Sequence, residues 1–292
     1  MTYIIKQLNE YVGRFMQKKS CLNCKNISPL ENLEYRKGEL EGGELYVLKE
    51  SIKQRKVLLC EISTPMMCIS DLWSEITNIT SFDFTPPLLF ISLDCTYDFK
   101  ASGLLALTAH YRNAIQLLRP ILENIIVACY FEERIRASSS QGEIDQAWKE
   151  YDQWVGAERK YKYNNLKNYK INKQNFLSSS ELERLDKELW EPISEYLHTN
   201  REKTDTAMDN LQNQPYKLPM TTRYDKEKLY KWLDLYQNLS SYHIEKLMIY
   251  YPPEDVGYNA KDIFQRLNIL KQEGRYLNEH LDNLMDLIGE SI

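Results

Sequence analysis

Glycine and proline are scarce in this chain, with ten of each among 292 residues. These residues interrupt helices most strongly, and the stretches between them are rich in Leu, Glu, Lys and Gln, which favour helix. Strand patterns are also rare. The single candidate, Leu88 to Leu93 after Pro86-Pro87, has no partner strand to satisfy its backbone, so we expect a buried connector there. The sequence therefore predicts an all-α fold.

The sequence also lacks a long apolar run and a strong net charge. The longest run, Ile121 to Phe131, is interrupted by Glu123 and is shorter than the roughly 20 residues of a membrane span. The opening segment, MTYIIKQLNEYVGRF, does not have the continuous apolar core of a signal peptide. A net charge of −5 means that a phosphate binder must concentrate its Lys and Arg on one face. We expect a cytoplasmic protein without membrane contact.

Motifs for metals and cofactors are weak or missing. Cys21 and Cys24 have the spacing of half a zinc site, but Cys60 ends an apolar run and its spacing to Cys68 does not provide the second half. Without an export signal, the cysteines are expected to be reduced structural thiols. A Gly-rich phosphate loop, a His-Glu-x-x-His helix and a Gly-x-Ser-x-Gly elbow are all absent from the sequence. We therefore predict no metal and no cofactor.

Apolar periodicity and turn signals divide the chain into long amphipathic helices that build a multi-helix bundle. We expect a small N-terminal helical region at residues 1–90 and a helical bundle domain at residues 91–292. The predicted helices cover residues 3–18, 44–62, 66–79, 98–136, 143–168, 181–207, 224–250 and 259–289.

The last predicted helix has the most regular apolar pattern. Its seam positions alternate in steps of three and four, which is the spacing of a coiled-coil-like contact. Gly274 on this seam would let another helix approach closely. The seam can pack on the rest of the bundle or on a second copy of the chain, as a homodimer, and the sequence leaves both open. The seam residues are Leu267, Leu270, Gly274, Leu277, Leu281, Leu284 and Ile288.

The fourth predicted helix carries a polar stripe opposite a broad apolar face. Arg112, Gln116, Arg119 and Glu123 recur every three or four residues and so share one side of a helix. A site requires another helix to cover this stripe, and we expect the segment at residues 191–201 to do so. That segment contributes His198, an acid or base near neutral pH, and Arg201. The alternative is an ordinary outer face with an Arg119–Glu123 pair.

The same residues carry a family resemblance. Leu118-Arg119 and Leu122-Glu123, followed later by Ile193-Ser194-Glu195-Tyr196-Leu197-His198, resemble a group of bacterial all-helical proteins related to the HEPN superfamily. The resemblance covers roughly residues 98–205. These proteins are found beside restriction and abortive-infection genes, and HEPN ribonucleases use an Arg followed after four to six residues by a His. Arg275 and His280 have that spacing.

The resemblance implies a defence or stress protein that binds RNA or cleaves it without a metal. The predicted catalytic residues are His198, His280 and Arg275, and the predicted substrate-binding residues are Arg112, Arg119, Glu123 and Arg201. A second run, Glu158 to Lys170, interleaves Tyr with Lys and Arg as single-stranded nucleic-acid surfaces do, or is a solvated helix face. The alternative function is a non-catalytic helical module that senses a ligand or binds a protein partner from the same operon.

Overall fold

The computed structural model describes residues 44–55, 58–79, 86–156, 163–166, 168–172, 174–196 and 224–252. Helices dominate these residues, and the predicted all-α, multi-helix fold is confirmed for them. A two-residue hairpin of β1 (Lys170–Ile171) and β2 (Gln174–Asn175) is antiparallel. The helices are α1 (Glu44–Gln54), α2 (Leu58–Ile79), α3 (Pro87–Leu107), α4 (Tyr111–Arg136), α5 (Gln141–Val155), α6 (Tyr163–Leu166), α7 (Ser179–Arg184), a π-helix (Leu185–Trp190), α8 (Glu191–Ser194) and α9 (Lys226–Tyr250).

One hydrophobic core joins these helices, with α3 and α4 packed along each other and α9 against α2, α3 and α4. Trp232 and Tyr236 of α9 are among the largest fully buried side chains of this core. Their polar atoms are satisfied, since Trp232 Nε1 donates to Ser102 Oγ (2.9 Å) and Tyr236 Oη to the carbonyl of Ile62 (2.8 Å). These bonds fix α9 against α2 and α3.

Helix α4 runs through this core. It is the one described helix that is long and apolar enough to span a bilayer, and 67% of its most apolar stretch is buried in the protein. The central helix of a folded bundle combines length and burial in the same way.

The connector predicted at Leu88 to Leu93 is wrong, because α3 begins at Pro87 and continues through this segment. Pro87 occupies the first helical turn, where its fixed φ suits a helix and its missing N–H has no partner to lose. Leu88, Leu89 and Ile91 are buried in the core, whereas Phe90 and Leu93 each keep 42% of their surface exposed. The predicted domain boundary between residues 90 and 91 lies within α3.

The single helix predicted over residues 98–136 is also wrong, since Thr108, Ala109 and His110 separate α3 from α4. Ala109 has a φ of 65°, in the left-handed region. Its N–H donates to the carbonyl of Ala106 (3.1 Å), and the His110 N–H donates to the carbonyl of Leu105 (2.8 Å). This pair of hydrogen bonds is a Schellman C-cap, whose left-handed position is usually glycine. Because residue 109 is alanine, the sequence contains no signal for the turn.

Several other helix ends differ from the prediction. The predicted break between residues 62 and 66 is absent because α2 continues through Pro65, and the chain turns at Arg55 instead. Arg55 hydrogen-bonds both carboxylate oxygens of the fully buried Glu61 and thereby closes the turn between α1 and α2. The helix predicted for 143–168 ends at Val155, and that for 181–207 leaves the α-helical form at Leu185. The predicted helices at 3–18 and 259–289 lie outside the described residues.

Candidate functional site

Three of the predicted site residues lie in the described part of the chain, and all three are on α4. Arg112, Arg119 and Glu123 are half-buried on one side of this helix. The other predicted site residues lie outside the described residues. These are His198, Arg201, Arg275 and His280, together with Cys21 and Cys24 of the half zinc motif.

The first turns of the α4 stripe are covered by the chain that follows α8. The carbonyl of Tyr196 accepts a hydrogen bond from Gln116 Nε2 at 2.9 Å and a longer one from Arg112 Nε at 3.4 Å. These residues are 80 and 84 positions apart from Tyr196 in sequence. The described part of the predicted cover, residues 191–196, therefore lies against the stripe as expected.

Arg119 lies at the centre of the same stripe and has two partners. Its Nε donates to Glu123 Oε1 at 3.1 Å, and its guanidinium carbon lies 4.4 Å from the centre of the Trp190 ring. The side chains of Arg119 and Glu123 keep 28% and 29% of their surface exposed. In such a setting the ion pair contributes about 0.2–0.5 kcal/mol and the cation–π contact about 0.5–1 kcal/mol. The pairing predicted from sequence is confirmed, and it leaves both groups accessible to solvent.

A π-helix places Trp190 over this arginine. The preceding α7 is capped by Ser178, whose Oγ accepts from the N–H of Glu181 at 3.2 Å. The helix then widens to π geometry from Leu185 and returns to α geometry at Glu191, with Pro192 in the first turn of α8. Single π-turns are rare in proteins and are frequent at functional sites.

A lysine from α9 completes the surface. Lys231 Nζ lies 5.1 Å from the centre of the Tyr196 ring and 3.8 Å from Glu195 Oε2. Lys231 is exposed, whereas Tyr196 is half-buried. Three cations and two aromatic rings from α4, the π-helix, the segment after α8 and α9 thus lie together. We name this surface the Arg–Trp face and define it as Arg112, Gln116, Arg119, Trp190, Tyr196 and Lys231.

The sequence did not predict a buried ionic cluster at the start of the π-helix. Arg184 donates two hydrogen bonds to the carboxylate of Glu245, both at 2.9 Å, and these side chains are only 9% and 8% exposed. Burial alone lowers the pKa of Arg184, but the hydrogen bond and charge of Glu245 outweigh it and raise that pKa above its ordinary value. Lys246 pairs with Glu181 beside them. The cluster joins α7 to α9 and is structural.

A buried histidine was also missed. His243 on α9 is fully buried, and its Nε2 lies 2.8 Å from Ser92 Oγ. Ser92 Oγ donates its proton to the carbonyl of Leu88 (2.6 Å), so Nε2 carries the ring proton and donates to Ser92. The other nitrogen, Nδ1, is buried with no partner, and burial lowers the pKa of His243 to about 3. A neutral ring sealed in the core is not an acid or base for an outside substrate.

The described cysteines and acids do not form a metal or thiol site. Among the described residues, there is no group of three or more His, Cys, Asp or Glu side chains arranged to hold a metal ion. Cys60 and Cys68 are buried, as predicted for residues of a helix core. Burial raises the pKa of Cys95 and of Cys129 above the ordinary thiol value, so neither is an activated nucleophile.

No protein-family model matches the chain, and no curated protein or solved structure is significantly similar to it. The resemblance to HEPN-like proteins therefore stays a prediction based on the residues quoted above.

Proposed function

We propose that this chain binds single-stranded RNA on the Arg–Trp face, as a HEPN-like bacterial defence or stress protein of the cytoplasm. The observation that supports this proposal is the grouping of Arg112, Arg119 and Lys231 with the rings of Trp190 and Tyr196. A net charge of −5 gives the chain no general attraction to nucleic acid. Binding therefore depends on such a local concentration of cations.

The chemistry of the Arg–Trp face suits an unpaired strand better than a duplex. Arginine and lysine neutralise phosphates, and a base removed from its stack can extend the Arg119–Trp190 stack, because guanidinium planes and indole rings both accept bases. In a double helix the bases are stacked on each other, so the aromatic rings of this face would find no partner.

Cleavage is the second part of the proposal. In a metal-independent reaction, His198 or His280 takes the proton of the 2′-hydroxyl as its oxygen attacks the adjacent phosphorus. The bond to the 5′-oxygen breaks, that oxygen receives a proton, and a 2′,3′-cyclic phosphate is left. Arg275 or Arg201 neutralises the phosphate charge that grows during attack. These four residues lie outside the described part of the chain, and their roles come from the sequence.

A non-catalytic interaction module is the second candidate. Both arginines of the face already have partners within the chain, Tyr196 for Arg112 and Glu123 with Trp190 for Arg119. Arginines held in this way also serve to dock the segment after α8 onto α4. Under that alternative, the partner is a protein from the same operon, and RNA does not bind to the Arg–Trp face.

Affinity for a labelled single-stranded RNA, measured by fluorescence anisotropy, separates these candidates. We expect Arg119→Gln to weaken binding about tenfold, which corresponds to about 1.4 kcal/mol. The same substitution should also reduce the slope of log K against the logarithm of the salt concentration by about 0.7, which is the value for one lost phosphate contact on a single strand.

The control is Arg134→Gln on the same helix. Arg134 has the same 28% side-chain exposure and also pairs with a glutamate, Glu150, at 2.6 Å. The Arg134→Gln variant should bind RNA as the wild type does. Equal losses in the two variants would show a general charge effect and contradict a specific face. Absence of RNA binding by the wild type would favour the interaction module.

Cleavage is tested on total RNA in the presence of a metal chelator, with His198→Ala and His280→Ala. We expect one of the two substitutions to abolish cutting while RNA affinity stays unchanged. If RNA is bound but never cut, the catalytic part of the proposal is wrong and the binding part stands.

A further inference from the structure

Helix α3 turns an apolar ridge toward solvent, although the rest of the helix is in the core. Phe90, Leu93 and Tyr97 keep 42%, 42% and 66% of their surface exposed. Ala101 and Leu104 continue the same side and are half-buried. At 100° per residue these five side chains fall within one narrow arc, and at 1.5 Å per residue they extend about 21 Å. We name these five residues the apolar ridge.

The spacing of the apolar ridge is that of a helix-packing seam. Its residues follow one another in steps of three, four, four and three, which departs at one step from the alternating steps of three and four between a and d positions. Asp94 and Asp98 border one edge of the ridge. Because these two carboxylates lie one turn apart on the same edge, a cation beside them would be favourable. The ridge thus fits an apolar helical seam flanked by basic residues.

The described chain ends close to the start of this ridge. Tyr251, just after α9, is 3% exposed, and the Arg136 guanidinium lies 5.1 Å from its ring centre. Arg136 pairs with Glu132 at 3.1 Å, and Glu132 Oε2 in turn accepts a hydrogen bond from the N–H of Leu88 at 3.5 Å. Leu88 belongs to the first turn of α3. Residues 253–292 therefore continue from a point beside the Phe90 end of the ridge.

We propose that residues 259–289 dock as a helix on the apolar ridge of the same chain, parallel to α3. From residue 252 to the start of the proposed helix at residue 259, seven residues can extend up to roughly 25 Å, and the helical turns from 259 to Leu267 add about 12 Å, which is enough to reach Phe90. The seam residues then follow in nearly the same steps as the ridge. Leu267 pairs with Phe90, Leu270 with Leu93, and Leu281 with Leu104.

Two features of the seam sequence fit this alignment. Gly274 falls opposite Tyr97, the largest and most exposed side chain of the ridge, and the missing side chain leaves room for the tyrosine ring. Arg266 precedes the first seam leucine and lies on the edge of the seam that faces Asp94 in this alignment. The docking does not depend on RNA binding, and either proposal can fail without the other.

Disulfide cross-linking in the full chain tests the docking and its direction. Leu93→Cys combined with Leu270→Cys should form an intramolecular disulfide on mild oxidation, seen as a faster-migrating monomer and identified by peptide mass spectrometry. Leu93 is exposed, so its substitution leaves the core intact. Leu93→Cys combined with Leu284→Cys is the control. Its partner position lies 14 residues, or about 21 Å of helix, further along the seam and should not cross-link.

A second measurement uses hydrogen exchange of the full chain. Gly274→Leu should expose the seam, with at least tenfold faster exchange of its amides, while the amides of α4 keep wild-type protection. A disulfide that links two chains would show that a second copy covers the ridge and would overturn the proposal. Equal cross-linking of both cysteine pairs, or none of either, would also overturn it.

Discussion

Replacing His243 with glutamine removes a titrating ring from the core while keeping a donor near the position of Nε2. In the wild type, His243 is fully buried and donates to Ser92 Oγ at 2.8 Å. The glutamine amide can make the same bond. The variant therefore separates the effect of protonation from the loss of a hydrogen bond.

The magnitude follows from the difference in pKa between the folded and unfolded chain. Burial lowers the pKa of His243 from 6.5 to about 3. Between these pH values the unfolded chain binds a proton at His243 and the folded chain does not. The free energy of unfolding is therefore highest above pH 6.5 and decreases as the pH falls toward 3. At about 1.36 kcal/mol per pH unit, protonation of His243 in the unfolded chain lowers the free energy of unfolding by about 2.5 kcal/mol between pH 7 and pH 4.5.

Urea denaturation at a series of pH values measures this loss. We expect the wild type to lose about 2.5 kcal/mol more than His243→Gln between pH 7 and pH 4.5. Ser92→Ala is the matched control. It removes the hydrogen-bond partner and lowers stability by about 1–3 kcal/mol at every pH, but it keeps the titrating ring and hence the wild-type slope. If His243→Gln shows the wild-type slope, the ring does not stay neutral in the core and the reasoning is refuted.

Substitutions at three further sites test the backbone, the packing and the buried ion pair. Ala109→Gly relieves a left-handed backbone at φ 65° and should raise the melting temperature, with a stabilisation of about 1 kcal/mol, whereas Ala109→Val should lower it. Gly103→Ala places a methyl group 2.9 Å from Ile62 Cγ2, and thermal unfolding should show a loss of about 1 kcal/mol despite the better helix propensity. Glu245→Gln leaves Arg184 buried beside a neutral partner, and urea unfolding should show a loss of about 3 kcal/mol that a mutation of the exposed Glu183 does not cause.

Helical periodicity was sufficient to predict the stripe on α4. Arg112, Gln116, Arg119 and Glu123 share one side of a helix whatever its tertiary setting, so the i to i+4 pairing of Arg119 and Glu123 follows from local geometry. The cover by the segment after Glu191 was predictable because a polar stripe on a largely apolar helix needs polar partners. The Tyr196 carbonyl meets this need.

Other features of the fold and of the site depend on tertiary contacts that local patterns do not encode. Arg184 and Glu245 are 61 residues apart, and nothing in either segment identifies the other as its partner. The π-turn that positions Trp190 has no residue signature of its own. Ala109 occupies a position where the C-cap motif usually has glycine, so residue preferences could not predict the end of α3.

Photo-cross-linking tests the central claim, that RNA binds on the Arg–Trp face, most directly. Single-stranded RNA carrying 4-thiouridine is irradiated with the full chain, and the modified peptides are identified by mass spectrometry. We predict adducts on the peptides that contain Trp190 and Tyr196, and their loss in Arg119→Gln but not in Arg134→Gln. Adducts confined to the Tyr- and Lys-rich run at residues 158–170, with the Arg–Trp face unmodified, would contradict the account.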